Sequence, residues 1–160
     1  MSGATGLRIR DITPGDAAPL ARMWEDFGRY LRDLGDTDEQ NFGIDAILRD
    51  GFGPDPAFSG IIAERDGTPC GYLLYHFGYD VDRAMRLMFV IDLWVDPSAR
   101  RHGIGRALMQ EAAARCRARG GAELLWAVFT PNQLAIDFYE RLGAQYLKSL
   151  KFMHLSAAKL

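Results

Sequence analysis

The sequence predicts a mixed α/β fold of six to seven strands and about four helices. Three observations carry that expectation. Apolar runs of strand length alternate along the chain with stretches of helical periodicity. Turn-forming residues mark most of the junctions between them. A chain of 160 residues with 48% hydrophobic content can bury one sizeable core, so a single domain over residues 1–160 is expected.

Leu7 to Ile12 alternates apolar and charged residues and reads as a short strand with one solvated face. Thr13-Pro14-Gly15-Asp16 offers capping and turn chemistry before Ala17 to Leu34. There Leu20, Met23, Trp24, Phe27, Tyr30, Leu31 and Leu34 recur at helical spacing. An acidic loop from Gly35 to Phe42 leads to a short helix from about Ile44 to Arg49, and then to the turn-rich stretch Asp50 to Pro56. Strands are predicted at Gly60 to Glu64 and Cys70 to Tyr79, with Asp66-Gly67 as a hairpin turn. Leu87 to Val95 is apolar except for Asp92, which suits a strand covered on both faces. Pro97 ends its pairing.

The helix predicted after Gly103 sets Ile104, Leu108, Ala112 and Cys116 on one stripe and stops at Gly120-Gly121. Glu123 to Phe129 reads as another buried strand. Thr130 then acts as the N-cap of a helix with Pro131 in its first position and Gln133 completing a capping box. Gly143 ends that helix, and Ala144 to Leu155 supplies one or two closing strands.

A net charge of −2 and a pI of about 5.9 give no reason to expect nucleic acid or an anionic membrane as partner. Acidic residues nevertheless crowd the front half, including Asp36, Asp38 and Asp80, whereas Arg100, Arg101, Arg106, Arg115, Arg117 and Arg119 crowd the back. That split suits a cationic substrate and an anionic cofactor. Cys70 and Cys116 are too few for a disulfide framework, and the three histidines lack ligand spacing. No metal is expected, and with no signal peptide or membrane-length apolar run in view the expected compartment is the cytoplasm.

The stretch from Asp92 to Arg106 runs strand, basic turn, glycine, helix. A helix opening beside Gly103 and Gly105 presents unpaired N–H groups and the positive end of its dipole, and Arg100, Arg101 and Arg106 add charge. A pyrophosphate is the natural guest. In the last helix, Leu134, Phe138 and Leu142 form one stripe, expected to be core. Asn132, Ala135 and Tyr139 fall on a different side, where an amide and a phenol flank a small residue that lets a ligand approach.

Val95-Asp96-Pro97 followed by Arg100-Arg101-His102-Gly103-Ile104-Gly105, and later Asn132-Gln133-Leu134-Ala135 with Phe138-Tyr139 and Leu142-Gly143, resembles the GNAT superfamily of acyl-CoA-dependent N-acetyltransferases. The likeness runs from Leu7 to Leu155. A narrower likeness is to the diamine branch, the spermidine/spermine and thialysine N-acetyltransferases. Leu48 to Gly53, Pro56, Phe58, Tyr79-Asp80 and Asp92 carry it. Two departures stand out: Ile91 occupies the position where that branch has a glutamate, and Lys148 and Lys151 stand where it has acidic and tryptophan residues.

The resemblance implies a mostly antiparallel sheet whose central strands splay apart around acetyl-CoA. It also implies a direct attack by a primary amine in a ternary complex, and a homodimer. Main-chain groups of Leu93, Trp94 and Val95 would pair with the pantetheine arm. Arg100, Arg101, His102, Gly103, Ile104, Gly105 and Arg106 would surround the pyrophosphate. Asn132, Ala135 and Tyr139 would flank the cofactor, and Tyr79, Asp80 and Asp92 would meet the amine. Tyr139 would serve the leaving thiolate and Asp92 the amine proton. Acceptors within this reading include a diamine, polyamine or lysine analogue, and also an amino acid, an antibiotic or a protein N-terminus. A non-catalytic acyl-CoA-binding module is the alternative of another class. A nucleotide triphosphatase is disfavoured because no lysine follows Gly105.

Overall fold

A computed structural model describes residues 6–159. In chain order the elements are β1 (Leu7–Asp11), α1 (Ala17–Asp33), α2 (Ile44–Phe52), β2 (Ser59–Arg65), β3 (Thr68–Asp80), β4 (Met85–Val95), α3 (Ile104–Ala118), β5 (Gly121–Leu125) and α4 (Gln133–Arg141). The sheet has spatial order β1-β2-β3-β4-β5. Its first three pairings are antiparallel, and β4 and β5 run parallel. Asp66 and Gly67 at φ 51° and 80° make the two-residue turn that joins β2 to β3. No helix among the described residues is long and apolar enough to cross a membrane.

Two apolar layers cover the sheet. α1 and α2 bury Leu20, Met23 and Ile47 against Ile62, Tyr72, Leu74 and Trp94. On the other face, α3 sets the predicted stripe of Ile104, Leu108, Ala112 and Cys116 against Ile61, Leu73, Tyr75 and Met88.

One irregularity decides what faces where. Asp92 lies opposite Leu74 and Val90 opposite Tyr75, so Ile91 has no counterpart on β3 and forms a bulge. Strand side chains alternate with period two, and an extra residue reverses the alternation. Met88 and Val90 therefore face α3 before the bulge, and Leu93 and Val95 face it afterwards. Asp92 and Trp94 turn to the α1 side, where Tyr72 meets Asp92.

The structure corrects four expectations. The sheet has five strands among the described residues, not six or seven. The strand expected over Glu123 to Phe129 is paired only as far as Leu125, because β4 and the chain beyond β5 part after Phe89. Ala144 to Leu155 forms no strand: its apolar side chains do not reach the sheet, and Phe152 and Met153 are 78% and 96% exposed. Finally, the N-cap of α4 is Asn132 rather than Thr130; the Asn132 Oδ1 accepts the Ala135 N–H. Of the stripe expected to be core, Phe138 and Leu142 pack against the α3 layer while also bordering an opening, and Leu134 is 52% exposed.

Candidate active site

Where β4 and the segment after β5 separate, a cleft of about 1010 Å³ opens, at the upper end of the usual range for small-molecule sites. Val90 to Val95 form one wall and Trp126 to Phe129 the other, with α4 above and the start of α3 at one end.

That end gathers unpaired N–H groups and positive charge. Arg101 and Gly103 both adopt left-handed backbone, at φ 66° and 75°, and Gly103 is the N-cap of α3. A Cβ at Gly103 would meet nothing within 4 Å, so its freedom serves the turn rather than packing. The first helical bond runs from the Ala107 N–H to the Gly103 carbonyl, 2.9 Å. The N–H groups of Ile104, Gly105 and Arg106 therefore have no partner within the helix. Arg100, Arg101 and Arg106 line the cleft and form no salt bridge among the described residues, so their charge is uncommitted. The Arg100 Nε donates to the Val95 carbonyl at 3.0 Å, and its guanidinium lies over the rings of Trp94 and Tyr30 at 4.7 and 5.9 Å. Gly105 plays a different part from the one expected. The space left by its missing Cβ is filled by the Phe138 ring, 3.1 Å from where that atom would sit.

Asp92 lines the cleft from β4 and is half-buried. Burial raises its pKa to about 7, against the opposing effects of the Tyr72 hydroxyl and the Leu93 amide. The Tyr72 hydroxyl, fully buried, donates to the Asp92 Oδ2 at 2.6 Å. Across the cleft, Tyr139 reaches in from α4, its ring packed on Trp126 and Phe138 at 4.9 and 5.3 Å. Burial, and secondarily the negative charge of Asp92, push its pKa well above 10. The phenol therefore holds its proton at every physiological pH.

Asn132 is buried, and its Oδ1 is used twice, by the Ala135 N–H at 3.2 Å and the Tyr30 hydroxyl at 2.8 Å. This bond ties α4 to α1 across the cleft. Ala135 lines the same wall. Asp36 and Asp38, in the loop after α1, also border the opening. The cleft thus has arginines from the turn before α3 and carboxylates from the α1 loop and β4.

Three expected site residues are not brought to the cleft. Tyr79 lies opposite Arg86 in the β3–β4 ladder, six residues from Asp92 along β4 and roughly 20 Å away at 3.3 Å per residue. Asp80, one position further on, is held by Arg83 at 2.7 Å, and Arg83 also pairs with Glu123. Those charges tie the far end of the β3–β4 hairpin to β5. His102 is exposed on the turn and does not line the opening.

Sequence reasoning missed Tyr72, Tyr30 and Trp126. Tyr72 alternates with Leu74 toward the α1 layer, and only the bulge brings Asp92 to the same side. Tyr30 repeats with the apolar stripe of α1, where a hydroxyl destined for Asn132 gives no local signal.

The family model described as the acetyltransferase (GNAT) family matches residues 20–144. The thialysine N-epsilon-acetyltransferase of Bos taurus is 30% identical over 154 residues, which cover 91% of this chain and 88% of that protein. The spermidine/spermine N(1)-acetyltransferase-like protein 1 of Homo sapiens is 25% identical over 160 residues, covering 92% of this chain and 22% of that one. Among solved structures, an integron cassette protein from V. cholerae superimposes with a TM-score of 0.79 at 21% identity, covering 96% of this chain and 94% of that chain, a likeness of fold.

Proposed function

Because this chain belongs to the GNAT acetyltransferase family and is an N-acetyltransferase, we propose that it moves an acetyl group from acetyl-CoA to the primary amine of a small cationic molecule. The acceptor class is that of thialysine and the polyamines, the substrates named for its relatives. The observation that carries the reading is the shared cleft: Asp92 on one wall, Tyr139 on another, and unpaired arginines at one end.

Acetyl-CoA supplies an activated thioester. Arg100, Arg101 and Arg106, with the free N–H groups of Ile104 and Gly105, hold the diphosphate. The main chain of Leu93, Trp94 and Val95 faces the opening and pairs with the pantetheine arm as an added strand would. The Trp94 side chain is buried in the opposite layer, so only its main chain takes part. Asn132 and Ala135 bound the arm from α4.

An alkyl ammonium with a pKa of about 10.4 is neutral in about one molecule in a thousand at pH 7.4, a handicap of roughly 4 kcal/mol. Asp92, with its pKa near 7, accepts the proton at Oδ1 while Tyr72 holds Oδ2. Tyr139 donates from its hydroxyl to the departing sulfur. Asp36 and Asp38 favour a cationic acceptor at the rim. The same reading treats residues 1–160 as one acetyltransferase domain working in the cytoplasm, where the free, buried Cys70 and Cys116 remain thiols.

The test mixes the protein with acetyl-CoA and a panel of diamines, polyamines, lysine analogues, other amino acids, aminoglycosides and peptide N-termini. Free thiol is followed and the product identified by mass. A primary amine gaining one acetyl group per thiol released is the expected result. Acetyl-CoA binding without turnover on any amine would refute the proposal.

A further inference from the structure

α4 carries Tyr139, yet none of its own residues is buried. Its charged side chains, Asp137, Glu140 and Arg141, form no salt bridge to another element among the described residues. Two ring contacts hold its middle: Phe138 fills the space left by Gly105, and Tyr139 lies on Trp126. Apolar contacts are non-directional. They set how near α4 lies to its neighbours, not how it is turned about its own axis.

The direction comes from the cap. Asn132 is buried, and its Oδ1 accepts the Tyr30 hydroxyl at 2.8 Å. Among the described residues this is the one hydrogen bond that joins α4 or its N-cap to another helix or strand. Tyr30, in α1, is itself held against β4. Its ring lies 6.0 Å from that of Trp94, the Trp94 Nε1 donates to Asp96 at 3.0 Å, and Asp96 takes Arg22 of α1 at 2.9 Å. The hydroxyl is thereby fixed relative to β4, the strand that carries Asp92. Asn132 and Tyr139 are seven positions apart, within about 20° of two full turns at 3.6 residues per turn, so a rotation at the cap reappears at the phenol.

We propose that Tyr30 is a positioning residue for acetyl transfer: through Asn132 its hydroxyl fixes the rotation of α4, and with it the place where the Tyr139 hydroxyl meets the departing sulfur. The inference rests on the reading of Tyr139 as the proton donor to that sulfur. It gives the contact between α1 and α4 a part in the chemistry, because a displacement of about 1 Å at a reacting group can cost up to about 100-fold in rate.

The test compares Tyr30→Phe, Tyr139→Phe and the double variant by thiol release, by acetyl-CoA calorimetry and by amide hydrogen exchange on the full chain. Deleting the hydroxyl leaves the Asn132 Oδ1 with the Ala135 N–H. No buried acceptor is orphaned, so the thermal midpoint should fall by no more than about 4 °C. Y30F should lower kcat about fivefold to tenfold, keep the Kd for acetyl-CoA within about twofold, and speed exchange of the amides over 133–141. Because Tyr30 acts through Tyr139, the double variant should be as slow as Y139F alone. Losses that multiply would give Tyr30 a separate role and overturn the proposal. An unchanged kcat in Y30F would do the same, as would a Kd that weakens by the factor that kcat falls. Full activity in Y139F would refute the proton-donor reading itself, and this inference with it. The exchange arm needs no turnover: amides over 133–141 that exchange no faster in Y30F than in wild type would overturn the role of Tyr30 whatever the acceptor.

Discussion

Replacing Asp92 by asparagine should make the protein more stable and nearly inactive. The fold holds this carboxyl at a pKa of about 7, from an ordinary 3.8, chiefly by burial. Between about pH 4 and pH 7 the folded chain therefore keeps a proton that the unfolded chain has lost, and stability falls as pH rises through that window. Above pH 7 the full cost is present, about 4 kcal/mol if the site were dry. Asp92 is half-buried on a cleft wall, and solvent there reduces the figure to roughly 1–3 kcal/mol. Asparagine has no charge to desolvate, and its carbonyl can still accept from Tyr72. Urea unfolding should give equal midpoints for the two proteins at pH 4. At pH 8 the variant's midpoint should lie higher by about 1 M, for a slope near 2 kcal/mol/M. In a thiol-release assay, kcat/KM of the wild type should rise through an apparent pKa near 7. D92N should lose that limb and about 100-fold or more in rate. A variant less stable than wild type at pH 8 would make Asp92 a structural carboxylate, and an unchanged rate would remove it from the proton path.

Tyr139→Phe should lower kcat tenfold or more while leaving the Kd for acetyl-CoA, measured by calorimetry, within about twofold. Arg101→Glu should weaken acetyl-CoA binding tenfold or more without changing kcat at saturation; a lost kcat with intact binding would contradict the diphosphate role. Tyr72→Phe removes a hydrogen bond that lowers the Asp92 pKa. The acidic limb of kcat/KM should therefore move up by about one pH unit, while the KM for acetyl-CoA stays the same.

Much of the fold was legible because periodicity and turn chemistry are local. The stripe of Ile104, Leu108, Ala112 and Cys116 is buried as its spacing requires, and Asp66-Gly67 turns the chain where a two-residue hairpin is expected. The glycine, arginines and helix start at one end of the cleft were legible for the same reason, since they are contiguous in sequence. The wall that carries Asp92 was harder, because it depends on register. Tyr79 and Asp80 adjoin the strand pair in sequence, yet the ladder carries them away from Asp92. Tyr72 is twenty positions from Asp92 and touches it. The segment after Gly143 reads as strand by composition, yet it joins no ladder among the described residues.

The bulge at Ile91 joins these threads. Were β4 regular, Asp92 would follow Met88 and Val90 into the apolar layer under α3, where a carboxylate has no donor. The extra residue turns it instead toward Tyr72 and the cleft. Ile91 itself lines the cleft, half-exposed, and contributes no charge. The elevated pKa of Asp92 therefore comes from burial rather than from a neighbouring carboxylate, and that origin has a mechanistic consequence. A base raised by a like charge keeps its strength only while the neighbour stays ionised. A base raised by burial becomes stronger as ligands displace water, so filling this cleft would itself prepare Asp92 to take the proton.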